Sequence, residues 1–391
     1  MDLLKKPLIE LIEKEAAYPE KITFERFMEL ALYHSHAGYY ESARQRTGRG
    51  GDFFTSPHAS KAFGECVANF VAGASEVLGG DSTHIIEYGA GSGFLALDVL
   101  DALERRNKDI YDTLIYSIVE KSAASVESSK SLLSRHSEKI RWAGGTKAED
   151  KIVRGDGAAI VISNEFVDSL PFHRAVFESE GLREIFVTHR DGLFLEVRGA
   201  PSTPELKRYL ASYALSLEAG QELEINLRAR DWLRLATNAF ERGFVLTIDY
   251  GSLAPELFAP KRKNGTMRCF HRHTISEDPY TKIGEQDITC DVDFSNLIRA
   301  GEECGLDTVK YTSQGQFLVD WGILNIVEGR ASDPAIGDAE RQRDIAAMKT
   351  LFFPEFMGSR FKALVQSKNA GPASKDFYPA SPLKLYFGET P

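Results

Sequence analysis

Short apolar runs closed by polar residues recur along this chain, with stretches of helical spacing between them. The runs at 84–88 (HIIEY), 114–119 (LIYSIV), 158–163 (AAIVIS) and 244–248 (FVLTI) are rich in β-branched residues and almost unbroken by polar ones. Such runs predict strands buried on both faces of a parallel sheet. Strands alternating with helical patterns predict a doubly wound α/β sheet. Helices are expected over 5–17 and 23–34, with Pro19 between them, and over about 60–78. Between 172 and 240 the pattern exceeds one crossover. Runs at 174–178, 183–190 and 193–198 read as strands, with Asp191-Gly192 as a two-residue hairpin turn. Helical patterns follow at 204–217 and 227–240. Further on, Asp293 caps a helix over 294–304 that Gly305 stops, and a strand is expected at 308–312. Helices fill 315–328 and 335–350, and 361–366 (FKALVQ) closes the sheet as its last strand.

The expected organisation has three parts. An N-terminal helical region with a glycine-rich loop covers 1–82. A Rossmann-like core covers 83–313, carrying an α+β insertion at about 172–242. C-terminal helices, the last core strand and a tail cover 314–391.

The strand ends carry the candidate chemistry. At 84–95 the chain reads HIIEYGAGSGFL: a strand, a carboxylate at Glu87, glycines at 89, 91 and 93, then a helix. A glycine turn lets the backbone approach a ligand closely, and the helix behind it presents unpaired N–H groups. The spacing is G-x-G-x-G, with Phe94 where a dinucleotide fingerprint needs its third glycine. No G-K-[ST] follows, so a phosphate-cradling loop is also excluded. The pattern resembles the first motif of class I S-adenosylmethionine methyltransferases, in which Glu87 would lie beneath the methionine end. Glu120 ends the next strand, placed to accept both ribose hydroxyls or to cap the following helix near Ser122. Asn164-Glu165-Phe166-Val167-Asp168 ends the third strand and Asp249-Tyr250-Gly251 the fourth.

Composition narrows the classes. The chain has 391 residues, 43% of them apolar and 27% charged, as in a globular protein able to bury a large core. No apolar run is long enough to cross a bilayer, and the N-terminus lacks a secretory or Arg-rich presequence pattern. Cys66, Cys269, Cys290 and Cys304 are scattered, which argues against a disulfide scaffold and a zinc site. These features lead to the expectation of a cytoplasmic protein with no metal and no membrane insertion. A net charge of −10 disfavours nucleic acid as a partner. Oligomeric state is open, a homodimer included.

Several segments together are similar to one family, the MidA-type methyltransferases, which include a mitochondrial complex I assembly arginine methyltransferase. They are ITFERFMELALYHSHAGYY (22–40), GDFFTSPHASKAFGE (51–65), IIEYGAGSG, SNEFVDSLP, LTIDYG (246–251), GTMRCFHRH (265–273), DITCDVDF (287–294) and 357–363. The resemblance spans most of the chain. Two departures stand out: His58 follows TSP where the family has glutamate, and the turn reads GAGSG instead of GPGRG. The resemblance implies S-adenosylmethionine as cofactor and methyl transfer as activity. A protein arginine acceptor and symmetric dimethylation are implied by it alone.

Methyl transfer from a sulfonium needs an aligned nucleophile in a water-poor pocket, and no metal. A guanidinium acceptor must be held by carboxylates, which bind it bidentately. Glu165 is the first catalytic candidate and Asp168 the second, with Asp168 also readable as a turn cap. Asn164 is placed to fix either the adenine or the reacting group. Asp52, Phe53, Thr55, Ser56 and Pro57 form a candidate lid over the cofactor or a static packing segment. Asp249 and Tyr250 floor the acceptor pocket or simply close a strand-end turn. His273 is a substrate-side or structural hydrogen-bonding residue. Asp287 and Thr289 belong to the same rim or to a turn before the next helix. Two competing functions remain: a small-molecule N- or O-methyltransferase, and an assembly factor that binds the cofactor and docks a partner.

Overall fold

In the computed structural model the described residues are 5–41, 55–80, 83–144, 157–381 and 383. The chain divides into two units, one of residues 1–53, 167–233 and 251–297, the other of 54–166, 234–250 and 298–391.

The apolar runs pair into the sheet of the latter unit. Its strands are β1 (His84–Tyr88), β2 (Ile115–Glu120), β3 (Ile140–Gly144), β4 (Ala158–Asn164), β5 (Arg242–Ser252), β6 (Asp307–Ser313) and β7 (Phe361–Lys368). They lie in the order β6-β7-β5-β4-β1-β2-β3. The five strands from β5 to β3 are mutually parallel, whereas β7 is antiparallel to both neighbours. The result is an α/β fold with a mixed sheet. Register aligns the strand ends that matter: Tyr88 lies opposite Val119 and Ser163, and Asn164 opposite Ile248.

The sequence pattern names β7 correctly as the last strand, but its place differs from a simple closure. It inserts between β5 and β6, leaving β6 at the edge. Ala363, Leu364 and Val365 are all fully buried, so successive residues on both faces need cover that an edge position does not give. Helix α1 (Ala62–Val77) and α2 (Phe94–Arg106) pack with the sheet through Val67, Phe70, Leu95, Val99, Ile85, Ile160 and Phe244. At Gly64 a Cβ would sit 2.4 Å from the Asp98 Cβ, so glycine sets how near α1 comes to α2. Helix α3 (Ala123–Leu132) starts at Ser122, whose hydroxyl accepts from the Ser125 N–H. The helix expected over 315–328 is two helices, α4 (Gln314–Asp320) and α5 (Ile323–Ser332). Gly322 breaks them apart in a left-handed conformation at φ +94°.

In the other unit the strand Gly181–Arg190 pairs with Ile22–Thr23, His173–Glu178 and Leu193–Gly199, and Gln221–Ile225 adds to His173–Glu178. The expected hairpin is present, with Asp191 and Gly192 both at positive φ. Helices Lys6–Glu15 and Phe24–Tyr33 bring Leu8, Ile12, Phe24, Phe27 and Met28 onto Phe172 and Val187. A small sheet holds Arg268–His271 between Thr274–Ser276 and Asp287–Thr289. Among the described residues, no helix is long and apolar enough to cross a membrane.

Candidate cofactor site and acceptor residues

The turn after β1 is built of three glycines at positive φ, +69° at Gly89, +53° at Gly91 and +81° at Gly93. They serve different needs. A Cβ on Gly89 would sit 2.5 Å from Phe166 Cδ2, and one on Gly93 would sit 2.9 Å from the Ser129 Cβ. A Cβ on Gly91 would meet nothing within 4 Å among the described residues. Gly91 is therefore the point of the turn that no other described residue crowds.

Glu120 organises that turn. Its Oε2 accepts from the Gly91 N–H at 3.0 Å and its Oε1 from the Ser122 N–H at 2.9 Å. The capping role is thus present. Glu87 lies deeper, 2% exposed, accepting the Tyr116 hydroxyl at 2.9 Å. Burial lifts its carboxyl to about 7; the Tyr116 bond opposes this and the Glu120 charge adds to it. Asp98, 4% exposed, is likewise lifted by burial to about 7, with Lys61 opposing.

Those two shifts predict a pH dependence of stability. The folded protein holds both protons more tightly than the unfolded chain. Their contribution to stability is therefore full below the ordinary carboxyl range, falls as pH rises towards about 7, and levels off above it. Melting curves across that window check this, and Glu87→Gln should flatten the decline.

The end of β4 carries the second group of candidates. Glu165 sits at φ +50°, uncommon for a residue with a side chain, and its N–H donates to the Ile248 carbonyl at 2.9 Å. Its Oε1 accepts from the Ser56 N–H at 2.9 Å and from Asn164 Nδ2 at 3.3 Å. Ser56 opens the short helix Ser56–Ala59, with Pro57 next, and is fully buried. Its hydroxyl donates to Gln314 Oε1 at 3.1 Å, and Gln314 Nε2 donates to the Leu351 carbonyl at 2.9 Å. This relay from α4 to the strand end was not readable from the sequence, because Ser56 and Gln314 lie far apart in it. Thr55 Oγ1 lies 2.6 Å from His58 Nδ1, and the His58 ring meets Phe94 edge-on at 4.6 Å. Burial lowers the His58 pKa, which keeps the ring neutral. Asp52 and Phe53, with the basic glycine-rich loop before them, lie outside the described residues.

Asp249 lies near the end of β5. It is fully buried, and its oxygens accept from the Phe166 N–H at 3.2 Å and the Tyr250 N–H at 3.0 Å. The Tyr250 ring packs edge-on against Phe361 at 5.6 Å, with the Arg360 guanidinium 5.5 Å from its centroid. In these contacts both residues close the strand-end turn.

The remaining candidates belong to the other unit. Asp168, 5% exposed, lies in the short turn Val167–Ser169, and its carbonyl accepts from the Cys290 N–H at 3.2 Å. His273 is exposed in a two-residue turn with Arg272, both at positive φ. Asp287 accepts the Tyr40 hydroxyl at 2.8 Å. In the unit that holds the large sheet, Asp101, Glu104 and His136 converge closely enough to suggest a metal ligand set, yet Arg135 bridges both carboxylates. The His136 ring nitrogens are taken by Tyr111 at 2.7 Å and Asp101 at 2.8 Å. That cluster is an ion-pair network.

Residues 65–312 match the family described as "Putative S-adenosyl-L-methionine-dependent methyltransferase". The chain belongs to this family. A mitochondrial protein of Drosophila melanogaster, named a protein arginine methyltransferase NDUFAF7 homolog, is 29% identical over 383 residues, covering 90% of this chain and 83% of its own. Human mitochondrial protein arginine methyltransferase NDUFAF7 is 27% identical over 366 residues, covering 87% and 78%. A crystal structure from Burkholderia thailandensis, bound to S-adenosyl-homocysteine, superposes with a TM-score of 0.81 at 29% identity. That match covers 93% of this chain and 92% of the other. The α/β fold with a mixed sheet is like that of class I methyltransferases.

The residues of this family member fit such a cofactor. Gly91 leaves the turn open to a ligand. At the end of β4, Ser163 Oγ and Asn164 Oδ1 are buried and have no partner among the described residues. Buried polar atoms are nearly always paired, so a group with hydrogen-bonding edges is what these positions lack.

Proposed function

We propose that this family member transfers a methyl group from S-adenosylmethionine to an arginine side chain of a protein, as its named relatives suggest. The observation that carries the cofactor half is the Gly91 turn, with nothing of the described residues near its Cβ position, at the end of β1, together with Ser163 Oγ and Asn164 Oδ1 at the end of the neighbouring β4, which have no partner among the described residues. When bound, the cofactor supplies a methyl group on a sulfonium, which is already a good leaving group. The chain's own part is to bind and orient.

In this reading Glu87 supports the turn from beneath, and Gly89, Gly91 and Gly93 let the backbone pass close to the cofactor. Glu120 takes the ribose hydroxyls while holding the Gly91 and Ser122 N–H groups. Thr55, Ser56 and Pro57 cover the site from the segment that Glu165 anchors. The Glu165 carboxylate orients the acceptor and balances its charge, which is the kind of fixed electrostatic aid that operates best away from water. The arginine acceptor rests on the names of the relatives, and symmetric dimethylation would follow from the same kinship.

The test is transfer of radiolabelled methyl groups to a pool of arginine-containing peptides, with the same pool carrying lysine in place of arginine as control. Label in methylated arginine after hydrolysis supports the reading. Label confined to the lysine pool or to small molecules overturns the acceptor.

A further inference from the structure

Outside the glycine-turn site, the unit of residues 1–53, 167–233 and 251–297 gathers a second polar cluster. Tyr33 and Tyr40 stack with ring centroids 5.1 Å apart and planes 27° apart, and both are half-buried. The Tyr33 hydroxyl donates to the Ser169 carbonyl at 2.9 Å, and the Tyr40 hydroxyl donates to Asp287 Oδ1 at 2.8 Å. Asp168 precedes Ser169 and acts electrostatically on Tyr40, as Asp287 does. Both carboxylates are buried, 5% exposed at Asp168 and 2% at Asp287. Burial first, then the Asp287 charge, hold the Tyr40 hydroxyl well above its ordinary pKa, so it remains a donor.

An independent feature points to a ligand. Thr289 is 3% exposed, and its Oγ1 has no partner among the described residues. Asp287 and Thr289 are two residues apart on one strand, so their side chains leave the same face. The orphan hydroxyl is therefore on the side where Tyr40 meets Asp287. Arg268 lies opposite Thr289 in the register, but its guanidinium is committed to Asp291 at 2.8 Å.

Two carboxylates, an acceptor hydroxyl and two aromatic rings suit a planar cation with several N–H donors. A guanidinium satisfies all three at once: its fork meets a carboxylate bidentately and its face stacks on a ring. An ammonium offers neither the fork nor the flat face. We propose that Asp168, Asp287 and Thr289, with the Tyr33–Tyr40 pair, form a guanidinium-binding site that takes a peptidyl arginine. The assignment rests on the arginine reading of the proposed function and names the residues that would recognise it.

The probe is N-acetyl-L-arginine amide, titrated by NMR into the full chain saturated with S-adenosylhomocysteine, with N-acetyl-L-lysine amide as comparison. The wild type should bind the arginine probe at least about fivefold more tightly than the lysine probe. Asp287→Asn should weaken it about tenfold or more, and Thr289→Val about threefold, with S-adenosylhomocysteine affinity held within about twofold. Thr289→Val keeps the shape of the side chain, so it remains informative if Asp287→Asn fails to fold. Equal binding of the two probes, or wild-type binding by the folded variants, overturns the site. The two readings can fail separately. Probe binding without methyl transfer to arginine peptides keeps this site and removes the proposed acceptor. Transfer to arginine with wild-type KM in both variants keeps the acceptor and removes this site.

Discussion

Gly91→Arg severely weakens S-adenosylmethionine binding and leaves the protein folded. A Cβ at this position meets no atom within 4 Å among the described residues, so the substitution displaces no packed group of theirs. The backbone cost is that of a side chain in the left-handed region at φ +53°, about 1–2 kcal/mol. The arginine side chain then occupies the open space that the turn keeps for a ligand. Calorimetry should show affinity weakened by at least about 100-fold, equivalent to about 2.7 kcal/mol. The melting temperature should fall by only a few degrees. Gly89→Val gives the contrast, because its Cβ would lie 2.5 Å from the Phe166 ring. Lost binding there should come with a lower melting temperature.

Glu165→Gln separates positioning from charge. The glutamine carbonyl keeps an acceptor for the Ser56 N–H, so the segment at Ser56–Ala59 stays anchored. The negative charge is gone. If that charge orients and balances the acceptor, kcat should fall about 100-fold or more, by analogy with the loss of one preorganised electrostatic group. S-adenosylhomocysteine affinity should stay within about threefold of the wild type, since the change leaves the glycine turn and Glu120 untouched. Single-turnover kinetics with labelled cofactor read the chemical step directly. A variant that keeps full kcat would reduce Glu165 to a tether for Ser56.

The central strands were legible because each is covered on both faces. Ile85 and Ile86, Ile160 to Ile162, and Phe244 to Leu246 are all essentially fully buried, so their sequence shows almost no polar interruption. β3 was missed because IRWAG is short and places the exposed Arg141 within it. The strand Gln221–Ile225 was missed for a different reason. It carries polar residues that are buried: Gln221 donates to the Phe258 carbonyl at 3.0 Å, and Glu224 accepts from the Thr266 N–H at 2.9 Å. Those partners come from distant sequence, and local pattern holds no trace of them. Burial raises the Glu224 pKa, which is the cost of placing a carboxyl there.

At the candidate site, residue type and position at a strand end made Glu120, Asn164 and Glu165 candidates. The bonds these groups make were not foreseeable. Glu165 holds Ser56 across 109 positions of sequence, and Gln314 completes that relay across 258. His271 and His273 stand two apart, and the spacing alone does not reveal that His273 occupies an exposed hairpin turn. The stacked Tyr33 and Tyr40 were present in the segment HSHAGYY and its neighbour, but only the folded chain brings Asp287 onto Tyr40.

Calorimetric titration of the wild-type chain with S-adenosylhomocysteine tests the central claim most directly. A saturable single site of micromolar affinity is the predicted result. The absence of any binding heat up to millimolar ligand, confirmed by an unchanged melting temperature, would contradict the assignment of the β1 glycine turn as a cofactor site.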